Sequence, residues 1–111
     1  MSSKTNTSER SAGPESGKEK IIITNGYFSG LEMKLKGKKT LMGKSTDCDI
    51  CLDHNLVSEE HAVIYKSKSA CWVEDLNSKN GTFINGREIH RKKLKNKDKI
   101  SIGDFSLEFK C

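Results

Sequence analysis

Proline is nearly absent from this 111-residue chain, and Pro14 is the only one. Also missing is any apolar run approaching the roughly 18 residues that a membrane-spanning helix needs. The first residues lack the apolar stretch of a secretory signal. These absences exclude a helical membrane protein and point to an intracellular address, nucleus or cytoplasm, with the nucleus favoured. No window sustains a 3.6-residue apolar period and no segment repeats, which argues against helical architectures. Hydrophobic residues make up 33% and aromatics 6% of the chain, enough for one small domain and well short of a large enzyme's core.

Cysteine is present but poorly arranged for a metal. Cys48-Asp49-Ile50-Cys51 is a C-x-x-C with His54 close behind, yet Cys71 and Cys111 are isolated. A structural zinc site needs a second matching pair. Reduced thiols are therefore expected, with no metal, no disulfide and no cofactor. Cys51 and Cys71 read as small core residues on strands.

Charge is in excess on the basic side: 20 Lys and Arg against 15 Asp and Glu, net +5. It is spread along the chain rather than blocked. A phosphorylated peptide, a nucleic acid or solubility alone would each suit that balance. The one dense stretch, Arg91-Lys92-Lys93-Leu94-Lys95-Asn96-Lys97, reads as a loop on a solvated edge, where lysines discourage strand-to-strand aggregation.

Residues 1–18 are rich in Ser, Thr and Gly, and Ala12 is the only aliphatic side chain after Met1. Such a stretch buries too little apolar surface to offset the entropy of ordering, so it is expected to be a disordered tail. Thr5 and Thr7 lie within it, open to a kinase. Residues 19–111 form the domain. There, short apolar runs recur at regular spacing, the pattern of an all-β sandwich of two antiparallel sheets. Ile21-Ile22-Ile23 stops at an Asn25-Gly26 turn. Leu31, Met33 and Leu35 alternate with charged residues, as do Phe105, Leu107 and Phe109 with Ser106, Glu108 and Lys110. Ile50 with Leu52, Ala62–Tyr65, Cys71–Val73 and Ile100 with Ile102 supply further strands. Thr82-Phe83-Ile84, Asn85-Gly86, Arg87-Glu88-Ile89 is a strong hairpin signal.

Between these strands lie three polar loops expected at one end of the sandwich: Lys44–Asp49, Asp53–His61 and Leu76–Gly81. In order they read Gly43-Lys44-Ser45, then Ser58-Glu59-Glu60-His61, then Asn80-Gly81-Thr82. Asn85-Gly86 and a closing Ile100-Ser101-Ile102-Gly103 follow. This ordered set resembles the forkhead-associated (FHA) domain over about Lys20 to Phe109, with its FHA/SMAD-like sandwich. The resemblance implies a signalling adaptor that binds phosphothreonine peptides through these loops. It sets Lys44 where the family usually pairs an arginine with the phosphate, and Ser58 where a hydroxyl donates to a phosphate oxygen. Asn80 then bonds the peptide backbone, Lys79 adds a donor beside it, and Glu59 also lies at the site. His61 is implied as the support of the Ser58 loop, with Gly43, Gly81 and Gly86 as tight-turn positions and Asn85 as a further support. Lys44 supplies a point charge where a planar fork is usual, and Glu59 sets a carboxylate where the family often has a basic or neutral side chain.

Two other function classes stay open at this stage. A phosphate-independent interaction module would use a sheet face or the loop tips. Nucleic-acid binding is disfavoured because only charge supports it, without a recognition motif. Catalysis is not expected, since no carboxylate is placed to orient His61 toward Ser58. Self-association through phosphorylated Thr5 or Thr7 is a minor expectation. Whether the chain is a complete adaptor or part of a longer protein is left open.

Overall fold

A computed structural model describes residues 18–35 and 37–111. The expected leader and its Thr5 and Thr7 therefore lie outside the described residues, apart from Lys18. Among the described residues there are eleven strands: β1 (Lys20–Ile23), β2 (Glu32–Lys34), β3 (Lys39–Gly43), β4 (Ile50–Cys51), β5 (Ala62–Ser67), β6 (Ala70–Asp75), β7 (Thr82–Ile84), β8 (Arg87–Ile89), β9 (Arg91–Lys93), β10 (Lys99–Ile102) and β11 (Phe105–Lys110). They form a six-stranded sheet, β2-β1-β11-β10-β7-β8, and a five-stranded sheet, β4-β3-β5-β6-β9. Among the described residues no helix is long and apolar enough to cross a membrane.

The sandwich follows from period-2 alternation. Ile21, Ile23, Ile100, Ile102, Leu107 and Phe109 of the first sheet are buried in one cluster with Met42, Ile64 and Val73 of the second. Burying each such side chain contributes about 1.5–3 kcal/mol. At the margin of this core, Lys66 Nζ lies 3.2 Å from Glu19 Oε1. The ammonium stands off the line of a hydrogen bond, so the contact is an ion pair without directional bonding.

The structure corrects several expectations. The second sheet is mixed, because β4 runs parallel to β3 with Met42 opposite Ile50. The chain between them swings back to the edge of β3, where Asp49 Oδ2 accepts the Leu41 N–H at 2.8 Å. Arg91–Lys93 is a strand rather than a loop and pairs with β6, while Leu94 is buried. The lysines do lie on an edge strand, which is where they discourage aggregation. Cys51 is exposed and Cys48 is buried, the reverse of what strand spacing suggested for Cys51. Leu31 is 48% exposed whereas Leu35 is 3% exposed, because β2 is a short edge strand covered only toward its C-terminal end.

Asn85 and Gly86 make the expected hairpin turn with φ of 51° and 86°, both left-handed, as a type I′ turn demands. They sit at the opposite end of β7 from Gly81, however. Asn85 bonds Asp98 Oδ1 and the Lys99 N–H, each at 3.0 Å. These two residues hold the far hairpin and do not support the loops that carry Ser58.

Candidate functional site

β3 ends, β5 begins, β6 ends and β7 begins at one end of the sandwich, so the three polar loops meet there. Their junction depends on Gly43. It was expected in a tight turn, yet its φ is not left-handed; it is the last residue of β3, and the Ser58–His61 turn crosses directly over it. A Cβ at this position would lie 2.3 Å from Glu59 O and 2.9 Å from His61 N, distances no side chain tolerates. That close approach lets the Lys44 N–H reach Ser58 O at 2.9 Å and the Ser45 N–H reach Glu59 O at 3.1 Å. The first and second loops are thereby locked together through main chain.

His61 links the second loop to the third. Its ring is fully buried. Nδ1 accepts the Ser58 main-chain N–H at 3.1 Å, which leaves the ring proton on Nε2 to donate to Gly81 O at 2.8 Å. Gly81 has φ of +89° and brings its carbonyl under the ring. Both nitrogens are therefore committed to backbone.

The third loop is built around a carboxylate that the sequence reading passed over. Asp75 Oδ1 accepts the Ser78 hydroxyl at 2.5 Å and the Thr82 hydroxyl at 2.7 Å, and Oδ2 accepts the Ser78 N–H at 3.0 Å. Ser78 Oγ in turn accepts the Gly81 N–H at 2.9 Å. Partial burial alone would raise the Asp75 carboxyl. The bonds from Ser78 and Thr82 and the nearby His61 outweigh it and hold the carboxyl below its ordinary range. The available signal was an aspartate at the end of an apolar strand with serine three residues on, the pattern of a side chain bonding its own following turn.

What this frame presents is a small set of exposed polar groups. Ser58 Oγ accepts the Lys79 N–H at 3.0 Å, which fills one of its two lone pairs and leaves its proton free to donate. The Asn80 amide donates to Leu56 O at 3.0 Å and keeps its carbonyl oxygen and second N–H. Lys79 and Asn80 are exposed, and Lys44 and Ser58 are half-buried. Ser45, also half-buried, was missed as a hydroxyl of this lip; its Oγ accepts the Asp47 N–H at 3.1 Å. Glu59 is exposed while its carbonyl is tied inward to Ser45 and to the Cys48 thiol. Lys44, Ser58, Lys79 and Asn80 thus come together, with Glu59 on the outer rim.

The C-x-x-C divides its two thiols. Cys48 donates to Glu59 O at 3.2 Å and Cys51 to Lys44 O at 3.4 Å. Burial pushes the Cys48 thiol up, and it raises Cys71 to about 11.

An FHA-domain family model matches residues 40–103, more than half of the chain and the span that includes all three loops. The chain belongs to the FHA-domain family. This FHA chain is 31% identical over 112 residues to the oxoglutarate dehydrogenase inhibitor of Corynebacterium glutamicum, covering 98% of this chain and 78% of that protein. It is 33% identical over 97 residues to the glycogen accumulation regulator GarA of Mycolicibacterium smegmatis, covering 87% and 61%. Among solved structures it is similar to Mycobacterium tuberculosis EmbR in complex with a low-affinity phosphopeptide, with a TM-score of 0.79, 29% identity, and coverage of 85% of this chain and 24% of that one. It is also similar to the FHA domain of a Chlamydia trachomatis protein, with a TM-score of 0.78, 26% identity, and coverage of 85% and 97%. These relatives are bacterial, and the nucleus favoured on sequence grounds finds no support in them.

Proposed function

We propose that this FHA domain, residues 19–111, is an intracellular regulator module that binds a phosphothreonine segment of a partner protein at the Lys44–Ser58–Asn80 lip, and that residues 1–18 are a flexible leader. The observation that carries the reading is the bond from the Lys79 N–H to Ser58 Oγ. It fixes Ser58 Oγ on the lip that carries Lys44 and leaves the hydroxyl proton free, a donor and a cation for an oxyanion. A phosphothreonine brings nearly two negative charges and three acceptor oxygens, and bonds between charged partners are about twice as strong as neutral ones. Asn80, with a free carbonyl oxygen and N–H, suits the main chain of an extended peptide. Further support comes from a 29%-identical relative solved with a phosphopeptide and from relatives named as an inhibitor and a regulator.

A binding role rather than catalysis fits the histidine. With Nδ1 taken by the Ser58 main chain and Nε2 by Gly81 O, neither nitrogen is left to accept a proton from Ser58 Oγ. Exposed Glu59 and Glu60 favour a second reading, a module that grips its partner without phosphate.

Calorimetric titration separates the two. A phosphothreonine peptide should bind the parent, its unphosphorylated counterpart should bind far more weakly, and Ser58→Ala should lose about ten- to a hundred-fold. Equal affinity for both peptides, unaffected by Ser58→Ala, would establish the phosphate-independent module instead.

A further inference from the structure

Four large apolar side chains are notably exposed among the described residues: Tyr27 at 95%, Phe28 at 53%, Leu31 at 48% and Leu56 at 42%. All four lie at the same end of the sandwich as the lip. Tyr27, Phe28 and Leu31 belong to the β1–β2 connection, which left-handed Gly26 and Gly30 fold into a tight excursion. The Asn25 side chain fastens that excursion to the β10–β11 turn, donating to Asp104 O and accepting from the Ser106 N–H, each at 2.9 Å. Two cavities open beside it. One, of about 240 Å³, lies among Tyr27, Phe28, His54 and Phe105; the other, of about 280 Å³, lies among Phe28, Leu31, Met33, Leu52 and Phe105. The tyrosine and phenylalanine rings meet edge-on at 5.1 Å.

The patch is continuous with the lip. Leu56 packs on the β10–β11 turn, its Cβ 3.3 Å from where a Gly103 Cβ would stand, and its carbonyl holds the Asn80 amide at 3.0 Å. Acidic side chains predominate on the rim: Asp53 lines one cavity, Asp104, its Oδ2 3.4 Å from His54 Nε2, lines the other, and Glu59 and Glu60 stand exposed on the adjoining loop. The apolar area is on the order of 400 Å², well below the about 800 Å² that each side of a stable complex buries. Alone it is too small to hold a second copy or a free partner. It suffices for a contact made by a molecule already tethered nearby, where linkage supplies a high effective concentration.

We infer that this patch is a second anchor point for the phosphorylated partner itself: it takes an apolar segment flanked by basic residues, on the same chain as the phosphothreonine held at Ser58. The inference rests on the phosphopeptide reading, and its occupant is one stretch of polypeptide spanning both places. Phosphate fixes where the partner docks, and the aromatic patch selects among phosphorylated chains by what flanks the modified residue. The acidic rim turns away acidic flanks.

The probes are a short phosphothreonine peptide and the same peptide lengthened at both ends by segments randomised over Leu, Phe, Lys, Ser and Asp. Affinity selection on the parent should enrich Leu or Phe beside Lys and deplete Asp, with about ten-fold tighter binding than the short peptide. Tyr27→Ser/Phe28→Ser should abolish that gain while leaving the short peptide's affinity and the melting temperature unchanged. On the parent, lengthening the peptide should move the backbone amide resonances of Gly26, Phe28 and Phe105. No enrichment, a gain that survives the double variant, or unmoved resonances overturn the anchor while the short peptide still reports the lip intact. If the short peptide itself fails to bind, the phosphate reading falls and the anchor with it. A dimer dissolved by Tyr27→Ser/Phe28→Ser in sedimentation would make the occupant a second copy and refute the proposal.

Discussion

His61 Nε2 donates to Gly81 O at 2.8 Å across a separation of 20 residues. With Nδ1 accepting from Ser58, one buried ring fixes the positions of the two loops that carry Ser58, Lys79 and Asn80. A packed, doubly bonded side chain does this without the entropy cost that exposed polar contacts between loops would carry.

Removing the ring should therefore cost both stability and site geometry. His61→Ala leaves a cavity and two unpaired backbone groups, a loss of about 2–4 kcal/mol. Thermal or urea unfolding measures that loss, and the Ser58 and Lys79 amide resonances should broaden. His61→Ala unfolding at the parental midpoint would show that the ring merely fills space.

Gly43→Ala should reach the same loops from below. Its Cβ would strike Glu59 O, and backbone cannot yield as a flexible side chain can, so about 1–3 kcal/mol is lost. The loss should come with slackened hydrogen-exchange protection at the Lys44 and Ser45 amides. Retained protection at both amides would contradict the close-approach role.

Lys44→Ala and Asn80→Ala should separate charge recognition from backbone recognition. Loss of Lys44 weakens phosphorylated peptides by about ten-fold and flattens the salt dependence of binding. Loss of Asn80 weakens phosphorylated and unphosphorylated forms alike. Titrations at two salt concentrations distinguish these patterns, and Lys44→Ala binding with the parental salt slope would remove Lys44 from the phosphate contact.

Glu59 is the place where this chain departs most from a simple anion site. Because its carbonyl is held inward while the residue is exposed, the carboxylate opposes an incoming phosphate only through screened solvent. Glu59→Arg should tighten binding of a generic phosphothreonine peptide by about 1 kcal/mol, and the gain should vanish in Glu59→Arg/Ser58→Ala. A gain indifferent to Ser58 would mean non-specific attraction.

Acid should unlock the third loop. The Asp75 carboxyl is depressed in the folded chain. Its contribution is then complete above the ordinary aspartate value of about 3.9 and is lost as pH falls through the lower native value. Asp75→Asn should lower stability at neutral pH and flatten the acid limb of a stability profile. An acid limb identical in parent and variant would assign the acid sensitivity to other carboxylates.

The sequence by itself determined the all-β architecture, the Asn85-Gly86 hairpin and the order of the polar loops. Each of these is written locally: alternation aims side chains to two faces, and an Asn-Gly pair admits left-handed backbone wherever it falls. Tertiary structure alone decided what the loops do to one another. Gly43 reads as one more turn glycine until the Ser58–His61 turn is laid across it. Asp75 reads as a strand-end carboxylate until Ser78 and Thr82 converge on it. Cys51, expected in the core, is exposed on β4, the strand that the connection after β3 doubles back to set parallel to β3. Asn85, a plausible neighbour of the site in sequence, is carried to the far end by the length of β7. Burial and close approach depend on segments remote in the chain, and no local pattern encodes which remote segment will arrive.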